Sequence, residues 1–259
     1  MTRSHNAIVD AQFGIRAQAY VASSVHAEGE DLDAVETIAA QVRPDRALDL
    51  GTGGGHVAFR LARYAGSVAA VDLSATMLDA VRDAARQRNL SNIEPCVAAA
   101  ERLPFADASV DLLACRYSAH HWHDWHAGLR EARRVLRPGS PAIFIDIVSP
   151  GPAALDTHLQ AIELLRDPSH VRNHSEAAWA AALADAGFRV RRTEKRRVRM
   201  DYASWVDRMR TPELHRAAIR SLQQSASAQT AAYFAIEADG SFSIDALQIE
   251  ASACRSQEA

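Results

Sequence analysis

The sequence has little of what would place it in several large protein classes. Its 259 residues include only three cysteines, Cys96, Cys115 and Cys254, and no C-x-x-C pair. Neither a disulfide framework nor a cysteine-based zinc site follows from that spacing, and unpaired thiols suit a reducing, cytoplasmic setting. No apolar run approaches the roughly 18 residues of a membrane span, so no integral membrane segment is expected. Met1 to Asp10 is polar and lacks the apolar centre of a signal peptide. The net charge is only −3, so nothing global calls for nucleic acid. Internal repeats are absent. At this length, one α/β domain over residues 1–259 is expected rather than two independent units.

What is present is hydrophobic residue, 48% of the chain, enough for a full core, and one glycine-rich stretch around which the rest is organised. Ala47-Leu48-Asp49-Leu50 is an apolar run with an acid near its end. Gly51-Thr52-Gly53-Gly54-Gly55 follows, and Val57 to Tyr64 carries apolar residues at helical spacing. The pattern predicts strand, tight turn and helix. Glycines there let a ligand lie on bare backbone. A dinucleotide site wants G-x-G-x-x-G. Counted from Gly51, the third glycine falls on His56, which speaks against a Rossmann oxidoreductase. A plain strand-to-helix turn is the simpler alternative.

The pattern that fits is D-x-G-x-G-x-G, on Asp49, Gly51, Gly53 and Gly55. It resembles the first motif of the class I S-adenosylmethionine (SAM)-dependent methyltransferases. A second apolar strand, Val68 to Val71, ends at Asp72, about where a ribose-binding carboxylate belongs, on the order of 20 residues past the glycines. Leu73-Ser74-Ala75-Thr76-Met77-Leu78 is similar to the family's D-x-S-x-x-M-L segment. Ala100-Glu101-Arg102-Leu103-Pro104-Phe105-Ala106-Asp107 resembles its G-D-A-E-x-L-P-F-x-D, except that Ala98 and Ala99 stand at the Gly and Asp positions, so the usual adenine carboxylate is missing. Glu131 to Gly139 resembles E-x-x-R-V-L-x-P-G, a structural helix end. Ser175, Trp179, Leu183, Ala186, Gly187 and Phe188 carry S-x-x-x-W-x-x-x-L-x-x-A-G-F. Phe13, Gly14, Ala17 and Tyr20 match an F-G-x-x-A-x-x-Y segment of the ubiquinone/menaquinone C-methyltransferase branch.

The resemblance implies a Rossmann-like, doubly wound, seven-stranded α/β sheet with an antiparallel C-terminal hairpin. An N-terminal helical lid over 1–42 and cap helices within 153–225 go with it. SAM is the implied cofactor, held by Tyr20, Asp49, Gly51, Thr52, Gly53, Asp72, Leu73, Met77, Ala99, Ala100, Glu101 and Arg116. The implied activity is methyl transfer to a small-molecule acceptor, with phenolic or quinone-like ring carbons among the candidates. The alternative is a non-catalytic SAM-binding regulatory or accessory protein, for which the missing acid at Ala99 is the main support.

Arg116 to His126 leaves the end of the fourth strand, where ligands of open α/β sheets bind. It contains His120, His121, His123 and His126 and is similar to the A-H-H-[FW] loop of small-molecule methyltransferases. Adjacent histidines diverge too much to converge on a metal, and no metal is expected. A histidine that titrates near working pH suits removal of an acceptor proton. His121 is the expected base, with His120 as its second or orienter and Tyr117 positioning the acceptor. The arginine run from Arg189 to Arg199 lacks the aromatics of a nucleic-acid surface and predicts a charged edge strand. Trp205 to Arg220 predicts helix broken near Pro212. Tyr233 to Glu237 and Ser241 to Ala251, joined at Asp239-Gly240, predict a hairpin.

Overall fold

The computed structural model describes residues 4–14 and 29–255. Tyr20, expected over the cofactor, lies outside the described residues, as does much of the expected lid. The described chain begins with helix α1, His5–Gly14, and helix α2, Glu30–Val42. Leu32, Val35 and Ala39 of α2 are fully buried, which is the apolar stripe that a 3.6-residue period allows.

Strand β1, Arg46–Leu50, leads through the glycine turn into α3, His56–Leu61. β2, Ser67–Asp72, is followed by α4, Ala75–Gln87, and by β3, Ile93–Val97. β4, Leu112–Arg116, α5, Trp125–Val135, and β5, Pro141–Val148, complete the parallel part. Helices α6, Ala153–Arg166, and α7, Glu176–Asp185, come before the edge strand β6, Phe188–Met200. Three short helices, α8 (Tyr202–Arg208), α9 (Glu213–Gln224) and α10 (Ala228–Phe234), lead to β7, Phe242–Ala253.

The seven strands form one sheet in the order β3-β2-β1-β4-β5-β7-β6. The first five are mutually parallel, and β7 runs antiparallel between β5 and β6. Strand order reverses between β1 and β4, the place where open α/β sheets leave a crevice. One core packs α5 and α7 on the sheet through Phe144, Trp125 and Trp179. A second packs α2 and α3 on the other face through Leu32, Val57 and Leu61. A third, around Leu159, Trp205, Phe234 and Ile244, joins α6, α8 and α10 to β7.

The antiparallel C-terminal strands are present, but they are not the expected hairpin. Residues 233–237 are not a strand. Ser227 caps α10 by accepting from the Thr230 N–H, and Ala235 ends it in the left-handed region at φ 47°. The strand that pairs with β7 is β6, the arginine-rich edge, in register from Phe188 opposite Ala253 to Met200 opposite Phe242. Tyr233 and Phe234 are apolar because α10 packs on α6 and on the third core.

Candidate active site

The glycine turn is held by backbone and by one buried acid. Gly51 and Thr52 N–H both donate to the Val71 carbonyl, at 2.9 and 2.8 Å. Asp49 Oδ2 accepts from Thr52 Oγ1 at 2.6 Å and from the Ala58 N–H at 2.9 Å, tying the turn to α3. Complete burial pushes the Asp49 carboxyl up to about 7, although the Thr52 hydrogen bond works against the shift. Gly51 sits at φ 76°, and a Cβ there would run into the Ser118 side chain. The turn therefore lies directly against the loop that carries the histidines. Gly53, at φ 48°, has nothing within 4 Å of where a Cβ would be, so its backbone faces open space.

Asp72 closes the end of β2. Its Oδ2 accepts from the Gly53 N–H at 2.9 Å and its Oδ1 from the Ser74 N–H at 3.0 Å. Each oxygen keeps capacity for another donor. Burial raises the Asp72 pKa, so the carboxylate gains from further donors, which a vicinal diol would supply in pairs. Met77, fully buried, and Leu73 stand beside it on the cavity wall. A bare backbone shelf, a diol-ready carboxylate and an apolar thioether side chain next to it fit SAM.

All these groups border one cavity of about 600 Å³. Asp49, Gly51, Thr52, Gly53, Asp72, Leu73, Met77, Ala100, Glu101, Arg116, Tyr117, His120 and His121 line it. Ala99 does not. The lining passes from Ala98 to Ala100, while the Ala99 carbonyl turns away to accept from the Arg102 N–H at 3.1 Å. Arg116 is committed to α2, its Nε donating to Asp31 Oδ2 at 2.6 Å with both side chains nearly buried. Glu131, in the helix-end motif, accepts from the Leu103 N–H at 2.8 Å. Arg134 donates to the Leu103 and Phe105 carbonyls at 3.0 and 2.7 Å. The two motifs thus clamp each other, and the L-P-F turn is fixed from α5.

The histidine loop begins with Tyr117, held at φ 51°. Burial, with Asp31 adding, pushes its hydroxyl up to about 12, so it enters the site as a neutral donor. Residues 119–121 make a single 3-10 turn. His120 Nδ1 lies 2.5 Å from Asp146 Oδ1, and the His120 backbone N–H donates to Asp146 Oδ2 at 3.1 Å. Burial lowers the His120 pKa, but the Asp146 charge and hydrogen bond outweigh it and leave the imidazole above its usual value. His121 Nδ1 instead donates to the Ser169 carbonyl at 3.0 Å. Burial first, and then the neighbouring His120, lower its pKa. His123 also borders the cavity, whereas His126 does not. Among the described residues, no group of three or more metal-capable side chains converges.

No sequence motif singles out Asp146, the buried carboxylate that meets His120. Its signal was an acid in the middle of β5, flanked by Ile143-Phe144-Ile145 and Ile147-Val148. It is 3% exposed, a burial an acid tolerates only with a partner. The far wall is also new. Ile147 from β5, Val198 and Met200 from β6, Ile244 and Ala246 from β7, and Trp205 and Met209 supply its apolar surface. Glu163 and Arg166 of α6 and Gln248 of β7 supply polar points. Helix α1 crosses over the cavity mouth through Asn6, Val9 and Phe13, with Phe13 edge-on to His121 at 5.0 Å between ring centroids.

The comparisons with known proteins agree with this geometry. A family model described as "Methyltransferase domain" matches residues 48–144. "Uncharacterized protein YafE" of Escherichia coli K12 is 45% identical over 197 residues, which is 76% of this chain and 95% of that one. "Uncharacterized methyltransferase YcgJ" of Bacillus subtilis 168 is 34% identical over 77% of this chain and 79% of its own. The YcgJ crystal structure superposes with a TM-score of 0.83, covering 87% of this chain and 98% of that one at 29% identity. A ubiquinone/menaquinone biosynthesis C-methyltransferase, UbiE of Xanthomonas axonopodis pv. citri, is 42% identical over 112 residues, 41% of this chain and 44% of that one. With a sheet, a glycine shelf and a strand-end acid of this kind, and with relatives that match along most of their length, the chain belongs to the class I SAM-dependent methyltransferases.

Proposed function

We propose that the chain methylates an oxygen or an adjacent ring carbon of a small, largely apolar, hydroxylated acceptor, with His120 as the general base and Asp146 as the group that orients it. The observation that carries this reading is the 2.5 Å contact between His120 Nδ1 and a buried Asp146 at the edge of the cavity. The proposal puts His120 ahead of His121, the expected leading base. His121 is bound to a neutral carbonyl and its basicity is depressed. His120 is bound to a carboxylate that stabilises the imidazolium formed on proton uptake, the role an acid plays behind a catalytic histidine.

Bound SAM supplies an electrophilic methyl on a sulfonium. Gly51, Gly53 and Asp72 would hold its backbone-facing and ribose parts, with Met77 and Leu73 against the adenine. On the acceptor side, the β6–β7 face and Trp205 exclude water and take up the apolar body. Asp146 fixes the His120 tautomer with hydrogen on Nδ1, which leaves the Nε2 lone pair to take the acceptor's hydroxyl proton. Ionising that hydroxyl raises the nucleophilicity of its oxygen and of the ring carbons in conjugation with it. Tyr117 offers a neutral donor nearby. The partial match to UbiE supports a quinol-like acceptor, within the share of the chain that it covers.

The test is turnover of a panel of hydroxyquinones and phenols with SAM by the wild type, His120→Ala and Asp146→Asn. Turnover falls by about 10²–10⁴ in His120→Ala, while SAM affinity stays within about threefold. Undiminished turnover in both variants, on an acceptor that the wild type methylates, would sink the assignment.

A further inference from the structure

His120 presents a difficulty for its own role. A base must be unprotonated to act, yet its surroundings favour the charged form. Asp146 of β5 holds Nδ1. Glu163 of α6 and Asp167 just beyond it add negative charge from the facing side, against the positive charge of Arg166. The other titratable neighbours are Glu163 itself, whose pKa burial raises, His121 and Tyr117 on the loop of His120, and His170 across from it, ring centroids 5.9 Å apart. Both histidines are pushed toward the neutral form, by burial first and then by His120. The tyrosine is neutral as well. One imidazolium is therefore the titratable cation of this cluster.

The cofactor shelf adjoins it. Gly51 packs against Ser118, two residues before His120, and both ends belong to one cavity. SAM carries one more positive charge than its product S-adenosylhomocysteine (SAH), a sulfonium in place of a thioether. The two ligands are otherwise the same apart from the methyl. His120 and Asp146 are themselves mostly buried, 16% and 2% exposed at the side chain, and near buried groups like charges repel more strongly than in bulk solvent.

We infer that His120 releases its proton to solvent when SAM occupies the cavity and keeps it when SAH does, so that the charge of the methyl donor switches the base into its working form. After transfer the cavity has lost the sulfonium charge, and the imidazolium beside Asp146 is favoured again. The inference rests on the reading of His120 as the base of the proposed reaction.

The experiment is calorimetric titration of the full chain with SAM and with SAH at pH 7, in buffers of different ionisation enthalpy, which counts protons released on binding. SAM releases more protons than SAH. Correspondingly, the affinity for SAM relative to SAH rises with pH across the titration of His120, by about tenfold for each pKa unit that the sulfonium displaces. The difference disappears in His120→Gln and remains in Asp49→Asn and in Glu163→Gln, which remove buried carboxyls on the cavity wall whose pKa burial also raises. Nitrogen NMR of histidine-labelled protein gives a second readout, in which the His120 ring becomes neutral on adding SAM but not SAH. Equal proton counts for the two ligands, or a difference that survives His120→Gln, would overturn the switch. The base assignment fails separately, by turnover that survives His120→Ala. An intact base with equal proton counts shows a histidine that is catalytic but blind to the cofactor's charge.

Discussion

The two walls of the cavity are built in different ways. The cofactor wall comes from a short span of chain, from Asp49 to Glu101, and meets the ligand largely with backbone and strand-end carboxylates. The far wall, where we place the acceptor, draws on β5, α6, α8, β6 and β7, whose residues lie up to about a hundred positions apart, and it is made of side chains. A backbone shelf depends on φ angles and on the absence of Cβ atoms, which leave a local mark in the sequence. A side-chain wall depends on which faces pack together, and leaves none. Reading one half of a site from motifs therefore says little about the other half.

Substitutions that separate the walls sharpen this contrast. Trp205, 2% exposed and edge-on to Phe242 at 4.9 Å, anchors the acceptor wall. Trp205→Ala costs about 3–5 kcal/mol of stability, measured by denaturant unfolding, with SAM affinity in the folded protein changed far less. A comparable loss of SAM affinity would show that the walls are not separable. Asp72→Ala acts on the opposite wall. It removes charge-assisted hydrogen bonds of about 1.5–3 kcal/mol each and frees the Gly53 N–H, so SAM affinity drops by roughly a hundredfold or more in calorimetry.

A pH experiment addresses the hinge between the turn and α3. Asp49 holds its proton more tightly in the fold, at about 7, than the ordinary carboxyl value of 3.8. Such a group adds stability at acid pH, and its contribution is lost as the pH climbs from about 4 through 7. Across that window the wild type loses stability relative to Asp49→Asn, by on the order of 1 kcal/mol or more. Urea unfolding at pH 4.5 and pH 7.5 checks it, and a difference between the two proteins that does not vary with pH would contradict the buried, uncharged acid. Ser175→Ala, at the cap of α7 and outside both walls, removes the bond to the Ala178 N–H. It lowers stability by about 1 kcal/mol and leaves SAM affinity unchanged. The smallest effect belongs to His121→Ala, which lowers turnover less than tenfold if His120 is the base; a loss equal to that of His120→Ala would restore His121 to the leading role.

Local chemistry made much of the cofactor wall legible. The D-x-G-x-G-x-G turn, Asp72 after an apolar strand, and Met77 in the segment that follows it all signal themselves by residue type and spacing. The charged edge strand was legible too, because alternating arginines leave a face that only an edge can solvate. Residues 233–237 misled because a short apolar run reads equally as strand or buried helix. Tyr233 and Phe234 went to helix when Ser227 supplied a cap and α6 a surface to pack on, and Ala235 ended the helix. Asp146 was visible only as an oddity, an acid among isoleucines, and its meaning depended on what would stand opposite.

By itself, the sequence determined the strand-turn-helix shelf, the order of the parallel strands' motifs and the class of cofactor, since each rests on contacts between residues close in the chain or on backbone that only glycine permits. Only the tertiary structure decided which histidine faces a carboxylate, that β6 rather than residues 233–237 pairs with β7, and which side chains complete the far wall of the cavity. Those outcomes are set by packing between segments far apart in the chain, where burial, not spacing, selects the partner.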